Sequence, residues 1–65
     1  MMEIASTIPE VLDRCAAGFV PVNVEIGVAI EAHRQSPSAN TLYAVVLACQ
    51  PAVEADAGFM IYCVR

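Results

Sequence analysis

Four side chains in this chain of 65 residues are of the types that ligate metals or attack electrophiles: Cys15, His33, Cys49 and Cys63. Structural zinc sites take their ligands in close pairs, because one turn then supplies two of them. Here successive members stand 18, 16 and 14 residues apart, so no pair is local. Cys–His catalysis needs an activated thiolate within hydrogen-bond reach of the imidazole. Glu31 could orient His33, but nothing in the sequence brings a cysteine to that ring. Each cysteine instead falls on an apolar pattern, where a free thiol behaves as a small hydrophobe. The expectation is three structural thiols and a solvated loop histidine.

Other chemistry is no better supported. Glu25 and Glu31 share one face of an alternating segment. On an extended strand they would stand about 20 Å apart, too far for paired acid–base work. No G-x-G-x-x-G, P-loop, H-E-x-x-H or G-x-S-x-G occurs. The sequence therefore predicts a non-enzymatic chain with no catalytic residue, no cofactor and no metal.

Composition narrows the class further. The net charge is −4, with no Lys and only Arg14, Arg34 and Arg65 as cations. Such a surface repels a phosphate backbone, and nucleic acid is not an expected partner. The N-terminus lacks the basic and long apolar regions of a signal peptide. The longest uncharged stretch, 35–53, contains Ser, Asn, Gln and two Pro, which argues against a membrane span. Three widely spaced Cys suit a reducing compartment, and a cytoplasmic location is expected.

Sixty-five residues make one small domain, 1–65, that buries only about 60% of its unfolded surface. Yet 58% of the residues are hydrophobic, above the roughly 45–50% of ordinary globular domains. More apolar side chain than one small core can hide points to a partner surface, with a second copy of the chain first in line.

The positioning elements follow from periodicity. Residues 1–6 are a short strand or a frayed end. Thr7-Ile8-Pro9-Glu10 reads as a helix start, Ile8, Val11, Leu12, Cys15 and Ala16 share one helical face, and Gly18 followed by Pro21 ends the run. This predicts a helix over 8–17, with Glu10 and Arg14 at ion-pair spacing. Val20 to Ile30 alternates six branched apolar residues with other types and reads as a half-buried strand, Gly27 marking a bend or bulge. A helix over Val24–Arg34 is the alternative, because Ile26, Ala29, Ile30 and His33 also share a helical face. Residues 33–40 have loop composition. Thr41–Cys49, uncharged and apolar on both faces, reads as the central strand, although a buried helix would tolerate the same run. Residues 50–58 form a connection and 59–65 a third strand. The predicted fold is α+β: one N-terminal helix on a three-stranded antiparallel meander, αβββ.

One helix covers one side of such a sheet. The second side of the last two strands would then stay bare, and the C-terminal strand would be an open edge. Tyr43, Val45, Leu47, Phe59, Tyr62 and Val64 are the expected interface residues. The functional expectation is a non-catalytic protein–protein interaction module that self-associates as a homodimer or larger oligomer and also meets another protein. Size, acidity and the lack of motifs suit a compact inhibitor or adaptor of a phage or mobile element. The alternative is a small-molecule binding module, with a pocket at a subunit interface lined by Tyr43, Phe59, Met60 and Tyr62.

Overall fold

The computed structural model describes residues 1–54 and 59–65, with nothing described of the Val53 side chain. Its elements in chain order are β1 Met2–Ala5, α1 Ile8–Ala16, β2 Val20–Pro21, α2 Val24–Gln35, α3 Ala39–Val53 and β3 Ile61–Val64. The strands form a three-stranded antiparallel sheet of order β1-β3-β2; α1 and α2 pack on it, and α3 packs chiefly on α2. The αβββ meander is thereby overturned.

The first helix forms where the sequence placed it. The Thr7 hydroxyl accepts from the Glu10 N–H at 3.2 Å, and Pro9 sits in the first turn. Glu10 turns back onto Thr7 and the Ser6 N–H rather than toward Arg14. At the other end Gly18 takes φ +100°. There the Phe19 N–H donates to the Arg14 carbonyl and the Gly18 N–H to the Cys15 carbonyl, both at 3.0 Å. These two bonds are the Schellman stop that a left-handed glycine permits.

The expected strand over residues 20–30 is a helix for most of its length. Asn23 caps α2, its side-chain oxygen accepting from the Glu25 and Ile26 N–H groups at 2.9 and 3.3 Å. Ile26 and Ile30 enter the core, while Val24 and Val28 point into water. Alternation of β-branched residues is a weak preference, and one good cap with a buried i, i+4 pair outweighs it. Gly27 marks no bend; it is an interior residue of α2.

The run read as the central strand, Thr41–Cys49, lies inside α3. Ser38 and Thr41 form a reciprocal capping box: the Thr41 N–H donates to Ser38 Oγ at 3.1 Å, and the Ser38 N–H donates to Thr41 Oγ1 at 2.9 Å. The segment of loop composition, 33–40, is thus the last turn of α2, a three-residue linker from Ser36 to Ser38 and the start of α3. Pro51, read as a boundary, sits in the final turn of α3, where its missing N–H leaves a single carbonyl bond unmade. Of the connection expected over 50–58, residues 50–53 are helical and 55–58 lie outside the described residues.

The third strand is real but shorter than 59–65, and it is not an edge. β3 lies between β1 and β2, with Met2 opposite Val64, Ile4 opposite Tyr62 and Val20 opposite Val64. Ala5, Pro21, Ile61 and Cys63 on its inner side are buried under the helices. They join Val11, Cys15, Phe19, Ile26, Ile30, Val45 and Cys49 in one core.

Candidate interaction surface

Strand alternation sends the remaining sheet residues outward. Across the strands they form two rows of three: Met2, Val64 and Val20, then Ile4, Tyr62 and Val22. The second row closes because the Val22 N–H donates to the Tyr62 carbonyl at 2.8 Å. All six side chains are between 40% and 58% exposed, and none is charged. Tyr62 stands in the middle of its row. The buried residues of the sheet share the helices' core, and α2 and α3 approach the array only at its rim, where Val22 and Tyr62 line a groove.

The six interface residues expected from the sequence do not share one surface. Tyr62 and Val64 belong to the bare sheet face. Tyr43 and Leu47 lie on the outer side of α3, with Val46 at its margin. Val45 points the opposite way and is fully buried, so it belongs to the core rather than to an interface. Phe59 is half-buried against the core. Met2, Ile4, Val20 and Val22 were missed. For Met2 and Ile4 the signal was their alternation in a segment left undecided; for the two valines it was their parity with each other.

The groups of types that do chemistry are quiet, although the fold brings Cys15 and Cys63 together in the core. Cys15, Cys49 and Cys63 are free and buried. Burial pushes all three thiols up. At Cys15 the neighbouring Cys63 adds to that rise while Arg34 opposes it, and at Cys63 the opposing charge is Arg14. A thiol held neutral in this way is the reverse of an activated nucleophile. His33 is no loop residue: it ends α2 and its Nδ1 meets Thr41 Oγ1 at 2.8 Å, tying the α2–α3 hairpin together. Glu25 and Glu31 both lie on α2, where six residues rise about 9 Å rather than the 20 Å of a strand. Glu31 pairs with Arg34 at 3.5 Å and accepts from Gln35 at 3.2 Å. Among the described residues no three His, Cys, Asp or Glu side chains converge as a metal site.

At the C-terminus Arg65 lies over the Phe19 ring, 4.9 Å from its centroid, and donates to the Ala17 carbonyl. This clasp holds the end of β3 to the end of α1. A groove of about 320 Å³ runs between the sheet rim and α3, lined by Val22, Asn23, Ile26, Ala48, Met60 and Tyr62 among others. No described helix is long and apolar enough to cross a membrane. No protein-family model, curated protein or solved structure matches the chain.

Proposed function

We propose that the protein is a non-catalytic protein–protein interaction module that self-associates through the outer face of its sheet. The observation that carries this reading is the two-by-three array of exposed, uncharged side chains on Met2, Ile4, Val20, Val22, Tyr62 and Val64. Each is about half exposed, so hiding the remainder is worth about 1 kcal/mol per side chain. Two copies meeting face to face gain that twice over, against an association cost of at least about 4 kcal/mol. A second copy suits the surface because each array is neutral; stacking it on itself opposes no like charges despite the net charge of −4. Tyr62, central and aromatic, is the expected anchor.

The test is the assembly mass by multi-angle light scattering. Tyr62→Glu lowers the mass while leaving the far-ultraviolet circular dichroism unchanged, and Glu25→Gln alters neither. A stable 6.9 kDa particle for the unmodified protein at high micromolar concentration overturns the proposal.

A second reading, a binding module for a small apolar molecule, draws on the groove beside Met60 and Tyr62. Saturable binding of a neutral apolar fluorophore, abolished by Ala48→Trp, would favour it; no saturable binding removes it.

A further inference from the structure

The two edges of the sheet are unlike. The Arg65 N–H donates to the Met1 carbonyl, which makes residues 1 and 65 a hydrogen-bonded pair of the β1–β3 ladder. By alternation Glu3 and Ala5 also turn their backbone groups toward β3. The N–H and C=O groups of Met2 and Ile4 therefore point out of the sheet, and none of the four has a partner among the described residues. On β2 the Val22 N–H bonds to β3, so Val20 faces β3 as well and Pro21 faces outward. Pro21 has no N–H to offer, and its carbonyl oxygen lies against Gly27 of α2. The β2 edge is closed. The β1 edge is open.

Glu3 selects what can fill it. Its side chain is half-buried on the helix side of β1 and pairs with no cation among the described residues. Two copies of β1 that bonded all four free groups would set Met2 against Ile4 and Glu3 directly against Glu3. Residues facing each other there stand about 4.5 Å apart at Cα, where like charges oppose pairing. A lysine or arginine in that position is attracted instead. Its two neighbours fall opposite Met2 and Ile4 and add a fourth member to each row of the outer array, which suits apolar β-branched side chains.

We infer that the free edge of β1 is a docking site for an extended segment of another protein, of pattern apolar–basic–apolar, added antiparallel as a fourth strand. The backbone groups set the extended form, Glu3 sets the basic residue, and Met2 and Ile4 set the apolar ones. The net charge of −4 draws such a segment from longer range.

The probes are two capped peptides, Thr-Val-Lys-Val-Thr and Thr-Val-Glu-Val-Thr, titrated into the labelled protein and followed by amide NMR. The Lys peptide is expected to shift the Met2 and Ile4 amides saturably and to slow their hydrogen exchange. It is expected to bind about tenfold more tightly than the Glu peptide. Glu3→Lys, with unchanged circular dichroism, should reverse that preference. N-methylation of both valines in the Lys peptide removes the donors that meet the Met2 and Ile4 carbonyls. This is expected to abolish binding to the unmodified chain, and it requires no variant to fold. A Lys peptide that leaves both amides unmoved, or that binds no better than the Glu peptide, overturns the inference. So do nuclear Overhauser contacts between the β1 backbones of two copies without peptide, which would make a second copy the occupant. The sheet-face reading stands or falls separately, on the assembly mass of Tyr62→Glu.

Discussion

α1 and α3 are built on opposite plans. The outer face of α1 carries Asp13, with Glu10 and Arg14 half-buried at its margins, and its inner face carries Val11 and Cys15. The outer face of α3 carries Tyr43 and Leu47 with Val46 at its margin, and its inner face carries Val45 and Cys49 with Leu42 at the exposed end. Both helices bury one β-branched residue and one cysteine four positions apart. They differ only in what they show to solvent. α1 is finished by water; α3 and the outer sheet face are not. A small chain whose apolar content exceeds its core places the excess on particular surfaces.

The sharpest way to break this comparison is to put the same charge on the two sides of α3. Val45→Glu buries a carboxylate in the core and is expected to cost more than about 4 kcal/mol, abolishing the cooperative thermal transition seen by circular dichroism. Tyr43→Glu, two residues away, should retain that transition. Equal damage from both would mean that the outer face is packed within the subunit.

The stop of α1 gives the next largest effect. Gly18 holds φ +100°, and a Cβ there would stand 3.3 Å from the Arg65 guanidinium. Gly18→Ala is expected to destabilise by about 1–2 kcal/mol, read from urea midpoints. An unchanged midpoint would show that the stop on α1 and its clasp to Arg65 do not support the fold.

The shared inner cysteines predict a common pH response. Burial raises Cys15 and Cys49 alike from a starting value of 9.0. A raised folded-state value means that the folded protein holds its proton where the unfolded chain has lost it. The stability this brings is fully present below pH 9.0 and is lost progressively as pH rises above it. Cys49→Ala should therefore show a shallower decline in urea stability on the alkaline side than the unmodified chain. Parallel declines would place the thiol outside the desolvated core.

The smallest effect belongs to α2, which lies between the two plans. A Cβ at Gly27 would meet only the Pro21 carbonyl oxygen, at 4.0 Å. Gly27→Ala is expected to stabilise by about 0.5–1 kcal/mol, raising the thermal midpoint. A lowered midpoint would indicate that the helix end of residues 20–30 retains the strand character its alternation suggested.

α1 was legible because every local signal agreed: Thr7 as cap, Pro9 in the first turn, charges on one face and Gly18 at the end. The β3 residues were legible as a strand, and the odd, scattered cysteines were legible as core. α3 was not, because a helix with no charged face leaves no period to read. Its cap was present at Ser38 and Thr41 but was hidden among residues of loop composition. α2 misled more actively. Its alternating valines and isoleucines matched strand spacing, and the Asn23 cap that contradicts them is a single polar residue.

Only the tertiary structure decided which faces pair. By itself the sequence established an acidic, apolar-rich small chain with one amphipathic helix, a C-terminal strand and more hydrophobic surface than its core can hold. It could not say that the last strand would insert between the first two, because strand order depends on contacts between the chain ends, and these leave no local periodicity. Insertion turned β3 from an expected edge into the centre of the sheet. That same step set Tyr62 and Val64 beside Met2, Ile4, Val20 and Val22, while the packing of α3 against α2 placed Val45 in the core rather than at the expected interface.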